Sequence, residues 1–415
     1  MKRGYLAMNT PLGIYISVPF CKAKCTFCNF ASGAFASERL HAYVDRLERE
    51  IRGIQGAATP LGAQLVRAVN TLYFGGGTPS LLSSAQVAQI FRALRQEFEI
   101  AKDAEITVEC APGQLANETL EELLRQGTNR VSLGVQSFVD RETAAVGRLH
   151  TNDMCESEIR RLGEAGVKDI NIDLIAGLPY QTEESWRYSV ERTIASGAPH
   201  VSVYMLEVDE DSRLGSEVLA HGGRYHAPDL PGEDAIAAYY EMASEMLDSA
   251  GIRQYEISNF AREGYRSRHN LKYWTRQPYI GFGLDAHSML PTAKSAVRFA
   301  NTDDLDTYLA AESEKNPFHL LPQEDPVDDR DPKYLGAAEA FEESLFLGLR
   351  LREGVRLDVL QATFGASVLV DIMPSVLEVC DAGLLALEGE TIRLTRRGRM
   401  VSNEVFSRLL VPVAA

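Results

Sequence analysis

The sequence contains no run of about 18 consecutive apolar residues, so it offers no membrane-spanning helix. It has no basic excess either. Its 58 Asp and Glu against 42 Lys and Arg leave a net charge of −16, which repels phosphate backbones over most of the surface and disfavours nucleic-acid binding. The opening stretch, MKRGYLAMNTPLGIYISVPF, carries basic residues and a short apolar run. It lacks the long apolar region of a signal peptide, because Pro11 and Gly13 interrupt it. A mature cytoplasmic protein is therefore expected, with reduced thiols and no stable membrane insertion. Cysteine is scarce, at six residues, and Cys110, Cys155 and Cys380 are scattered singly and read as small buried hydrophobes. With 45% hydrophobic and 24% charged residues over 415 positions, the chain reads as globular, with room for a large core and a smaller second unit.

From residue 12 to about 260, short β-rich runs alternate with longer helical patterns. The runs include GIYISV, TLYFG, EITVEC, RVSLGV, DINIDLI, HVSVYML and QYEIS (254–258). Such alternation implies βαβ crossovers and a parallel sheet, and the number of units predicts an α/β fold with a full or partial (β/α) barrel. Glycine-rich and polar strings follow the strands, as in GGGTP, and sites in barrels of this type are built on that rim. Residues 313–333 are rich in charge and proline and read as a linker between a core over 1–312 and a C-terminal unit over 334–415. In that unit two helices, a hairpin at LLALEGETIRLT and a closing helix predict a small winged-helix-like domain. Acidic residues outnumber basic ones there, which argues for a scaffolding or lid role over DNA binding.

The other three cysteines sit together in CKAKCTFCNF, spaced C-x3-C-x2-C at Cys21, Cys25 and Cys28. Structural zinc usually takes four ligands in two separated pairs, whereas the closest histidine here is His41. Three thiolates on one loop suit a cubane iron–sulfur cluster that keeps one iron free for a ligand. The loop, together with GGGTP after the second strand, resembles the radical S-adenosylmethionine (SAM) enzymes, in which the open iron is chelated by SAM. Gly75, Gly76 and Gly77 would let the backbone approach the methionine end closely.

YISVPFCKAKCTFCNF, YFGGGTPSLL, NRVSLGVQSF, NIDLIAGLP, YEISNFA, HNLKYW and GFGLDAHS extend the resemblance over nearly the whole chain. They are similar to the oxygen-independent coproporphyrinogen III oxidase family, which also includes a heme-chaperone branch. The resemblance implies that Cys21, Cys25 and Cys28 hold a [4Fe-4S] cluster. It implies further that Tyr15, Phe27, Gly76, Gly77, Thr78 and Glu109 line the SAM site, and that Gln136, Arg148 and Asp173 match positions binding a second SAM in the oxidase. Two departures speak against the oxidase. Phe30 stands where the oxidases carry a fourth cysteine in C-x-C, and Ser17 stands where the family commonly has histidine. HNLKYW matches the HNxxYW signature of the chaperone branch, implying heme contact by His269, Tyr273 and Trp274, with His150 and His287 as weaker candidates. The expected function is a heme chaperone serving heme-accepting proteins, with a homodimer as an option. The alternative is oxidative decarboxylation of coproporphyrinogen in porphyrin biosynthesis.

Overall fold

A computed structural model describes residues 10–310 and 332–410, so the expected linker lies outside the described residues as far as 331. Six strands run parallel in chain order: β1 (Leu12–Val18), β2 (Ala68–Gly76), β3 (Glu99–Cys110), β4 (Arg130–Gln136), β5 (Asp169–Ala176) and β6 (His200–Met205). Helices cross between them, for example Ser37–Ala58 after β1 and Ser84–Glu97 after β2. Ser83 opens the second of these helices with a reciprocal capping box to Gln86, which satisfies two free amides at its start. The result is the expected partial barrel.

Alternation along the strands decides what each face carries. On β1, Ile14, Ile16 and Val18 are fully buried, and they join Leu72, Phe74, Val108, Leu133, Ile172 and Val201 in one core shared with the helices. The opposite face is polar. The pairs Tyr15↔Tyr73, Glu109↔Ser132, Gly134↔Asp173 and Asp173↔Ser202 lie side by side across it. A polar barrel interior follows directly from the period of two.

Beyond β6 the chain forms a hairpin of β7 (Arg253–Gln254) and β8 (Asn259–Ala261), where the sequence had predicted one strand over 254–258. The Glu256 carboxylate accepts from the Ser258 amide at 3.0 Å and from the Asn259 side chain, turning the chain inside the predicted run. Beyond β1 the sheet continues with parallel β9 (Tyr279–Phe282) and then antiparallel β10 (His287–Pro291), β11 (Ala296–Ala300) and β12 (Lys333–Leu335). Leu335 still pairs with Ala296, so the chain leaves the large sheet only after that residue.

The C-terminal unit then forms helices Ala337–Arg350, Leu357–Phe364 and Ser367–Asp381, and a small sheet of β13 (Val355–Arg356), β14 (Leu385–Glu388) and β15 (Thr391–Leu394). The expected closing helix is two, Arg396–Met400 and Ser402–Arg408, parted at Val401 where ψ swings to 38°. This unit has its own core around Phe341, Leu345 and Val376, into which Ile257 of the barrel hairpin also packs. Cys110 and Cys155 are buried in the main core, and Cys380 packs half-buried on the second. No helix among the described residues is long and apolar enough to cross a membrane.

Helix Ser37–Ala58 anchors the turn after β9 through two side chains. Tyr43 donates to the Ser17 carbonyl at 2.7 Å and accepts from the Leu284 amide at 2.9 Å. Glu50, fully buried, accepts from the Gly283 amide at 3.2 Å, from Asn301 at 2.7 Å and from the Tyr308 hydroxyl. Glu50→Ala strands those donors away from water, and the expected loss is about 2–4 kcal/mol, measurable as a shift of the urea midpoint. A shift worth under about 1 kcal/mol would show that water replaces the carboxylate there.

Candidate functional site

The cysteine loop leaves β1 at Pro19 and closes on itself at its neck, where Cys21 N–H donates to Gly33 O and Gly33 N–H to Pro19 O, both at 2.9 Å. The turn after β2 lies against that neck: Gly77 N–H donates to Val18 O at 2.9 Å and Thr78 N–H to Phe20 O at 2.8 Å. A Cβ on Gly77 would meet Val18 O, Pro19 C and Phe20 N at 2.7–2.9 Å, so only glycine allows this approach. All three thiols are free and each has its own polar neighbour. Thr78 Oγ1 donates to Cys21 Sγ at 3.6 Å, Arg148 Nη1 to Cys25 Sγ at 3.5 Å, and Cys28 Sγ lies 3.8 Å from Ser32 Oγ. Burial raises the Cys21 thiol above its ordinary pKa, with Thr78 and Ser32 opposing the shift.

Beside the loop, the strand ends gather the remaining polar residues. Tyr15 stacks on Tyr73 with centroids 5.9 Å apart, and the Tyr73 hydroxyl donates to Glu109 at 2.8 Å. Burial lifts the Glu109 carboxyl to about 7, with Asp173 adding to the rise while the Tyr73 hydroxyl and Gly76 amide oppose it. Asp173 is also raised by burial, and it accepts from Ser132 at 2.9 Å and Asn171 at 2.8 Å. Gln136 ends β4 in the left-handed region at φ 69°, a strained state for a residue with a side chain and one that tends to mark functional sites. Arg148 donates to the Gly134 carbonyl, but its buried Nε has no acceptor. Phe27 packs, half-buried, against a small apolar cluster of Val146, Ile175 and Leu178.

A cavity of about 540 Å³ opens on this rim. Tyr15, Gly76 and Glu109 line it, and so do Tyr273, Trp274, Tyr279, Leu284, Met289 and Leu347. It therefore joins the glycine-rich turn, the HNLKYW helix Arg268–Trp274 and the C-terminal unit. Phe30, 61% exposed, stands at its edge. His269 does not line it. The imidazole is 1% exposed, with Nδ1 2.9 Å from Thr71 Oγ1 and Nε2 2.9 Å from the Tyr273 hydroxyl, so neither nitrogen is free for iron. Burial and nearby Lys272 push its pKa down to about 3. Of the weaker candidates, His150 is buried with Nε2 3.0 Å from Val135 O, whereas exposed His287 does line the cavity. Tyr279, Met289, Arg298 and Leu347 were missed. HNLKYW and GFGLDAHS point at this wall, and neither shows which strands stand beside it.

Comparison with known proteins agrees with this architecture. The radical SAM superfamily model matches residues 15–192, and the HemN C-terminal domain model matches residues 335–401. The heme chaperone HemW of Bacillus subtilis is 33% identical over 400 residues, covering 95% of this chain and 98% of that protein. The heme chaperone HemW of Mycobacterium tuberculosis is 32% identical over 405 residues, with 96% and 95% covered. The chain belongs to the HemW family. Coproporphyrinogen III oxidase (HemN) from Escherichia coli superposes with a TM-score of 0.80 at 22% identity, over 97% of this chain and 91% of that one, which shows a shared fold.

The radical SAM fold of the HemW family implies a [4Fe-4S] cluster and SAM. The donor set present fits such a cluster. Three unpaired thiols lie on one loop, and among the described residues no three His, Cys, Asp or Glu side chains are gathered closely enough to share a single metal ion. A cluster gives each thiolate its own iron and needs no such gathering. Gly77→Ala, which drives a Cβ into the neck of the loop, is expected to cut iron incorporation on anaerobic reconstitution several-fold while far-ultraviolet circular dichroism stays unchanged. Undiminished iron would show that the neck yields without disturbing the thiols.

Proposed function

We propose that this protein is a cytoplasmic heme chaperone that takes up heme at the rim cavity and passes it to heme-requiring proteins. Cys21, Cys25 and Cys28 hold the cluster, Tyr15, Phe27, Gly76, Gly77, Thr78 and Glu109 hold SAM, and Gln136, Arg148 and Asp173 extend that site. Arg148, with its unsatisfied Nε, pairs with a carboxylate. When bound, the cluster and SAM supply one-electron chemistry at the rim. Tyr273 and Trp274 offer flat apolar surface for a porphyrin face, and His269 acts behind them by fixing the Tyr273 hydroxyl. A homodimer belongs to the same reading.

The observation carrying it is the single cavity lined both by Gly76 and Glu109 and by Tyr273 and Trp274. Phe30 at its edge, in place of a fourth cysteine, favours holding a ligand over processing it as the oxidase does. The test is hemin titration of the reconstituted protein. A saturable Soret band, weakened several-fold in Trp274→Ala, supports the reading. Conversion of coproporphyrinogen III to protoporphyrinogen with SAM and a reductant would replace it with the oxidase.

Glu109 adds a pH dependence. Its carboxyl, raised to about 7, is protonated below that pH and ionised above it. Only the ionised form attracts the cationic parts of SAM. SAM affinity is expected to fall up to about tenfold between pH 8 and pH 6, and Glu109→Gln should flatten the profile. An unchanged profile in the variant would assign the titration elsewhere.

A further inference from the structure

At the aromatic end of the cavity, buried donor atoms of Trp274, Arg276 and Arg298 have no hydrogen-bond partner. Arg298 on β11 is the one arginine or lysine among the described residues lining the cavity, whose other charged groups are Glu109 and Asp285. Its Nη1 lies 3.2 Å from Glu343 Oε1 on helix Ala337–Arg350, and its Nη2 meets the Met289 sulfur at 3.9 Å. Its buried Nε has no hydrogen-bond partner. The same Glu343 also accepts from Arg276 Nε at 2.8 Å, and Arg276 Nη2 is buried without an acceptor. Trp274 Nε1–H, in the cavity wall, is a third buried donor with nothing to bond. One carboxylate thus serves two guanidinium groups, which leaves a local positive charge in a protein of net charge −16. Buried donors are costly to leave unmatched, and a guanidinium is shaped to bind a carboxylate.

The position of this end is informative as well. Strand order places β11 five spacings from β3, which carries Glu109, or roughly 24 Å along the curved sheet at about 4.8 Å per spacing. Glu109 therefore marks the SAM side of the cavity and Arg298 the far side, with Asp285 in the turn between β9 and β10 and with Tyr273, Trp274, Tyr279 and Leu284 also in the lining. We infer that Arg298 is the carboxylate-recognising residue of this cavity. It binds the acidic arm of a flat apolar ligand at the Arg276–Glu343 cluster and so orients the ring with its uncharged edge toward the SAM side. The inference rests on the reading that the cavity takes a tetrapyrrole, and heme fits it because its two propionates lie on one edge of an apolar ring. Glu343 is then an internal competitor for the guanidinium.

The test compares hemin with hemin dimethyl ester, which keeps the ring and lacks the carboxylates. Binding to the reconstituted full chain is read by the Soret band and by quenching of tryptophan fluorescence. Wild-type protein is expected to prefer hemin by about tenfold, in the range of one charge-assisted pair. Arg298→Gln should bring hemin down to the level of the ester and leave ester binding unchanged, with Arg298→Lys in between. Glu343→Gln should strengthen hemin binding without strengthening the ester. Equal loss of hemin and ester in Arg298→Gln, or no preference in the wild type, overturns the inference. Absence of binding by either compound to the wild type overturns the tetrapyrrole reading itself, and the inference with it.

Discussion

The rim depends on one close approach of backbones. At Gly77 the turn after β2 lies against Val18, Pro19 and Phe20, and two amide–carbonyl bonds hold it there. That contact fixes the neck of the cysteine loop and sets Thr78 beside Cys21. It also brings the glycine-rich turn level with Tyr15 and Glu109 in the cavity wall. A side chain at residue 77 would push the loop and the turn apart, and the thiols and the Gly76–Glu109 side of the cavity would lose their common frame. The rest of the site is arranged around this fixed point.

Period-two alternation supplies the second constraint. It turns Ile14, Leu72, Val108 and Leu133 outward to the helices, and Tyr15, Tyr73, Glu109 and Asp173 inward. Two carboxyl groups in a desolvated interior disfavour ionisation, and for that reason Glu109 titrates near the physiological range. The opposite side of the cavity is built on longer-range pairing. β9 returns parallel to β1, three antiparallel strands extend the sheet, and helix Ala337–Arg350 of the C-terminal unit closes over them through Glu343 and Leu347. The C-terminal unit is thus part of the cavity wall.

Features encoded in one contiguous stretch were legible in the sequence. The C-x3-C-x2-C loop, GGGTP and the strand–helix alternation each rest on local spacing, and the partial barrel follows from them. Features that depend on which surfaces meet were not. HNLKYW names six residues of a seven-residue helix but not their facing, and the fold turns His269 inward to Thr71 and Tyr273 while leaving Tyr273 and Trp274 in the cavity wall. The run at 254–258 has strand composition, yet the Glu256 carboxylate turns it. Arg298, Met289 and Leu347 come from separate elements joined only by tertiary pairing, so no local pattern could group them.

The central proposal is that heme sits in the rim cavity, beside the loop that holds the cluster. It is tested most directly by electron paramagnetic resonance of the reduced cluster in the reconstituted protein, before and after addition of ferric heme. Heme seated against Tyr273 and Trp274 predicts faster spin relaxation of the cluster signal, lost in Trp274→Ala. A cluster signal whose relaxation is unchanged by saturating heme would contradict it and place heme elsewhere on the protein.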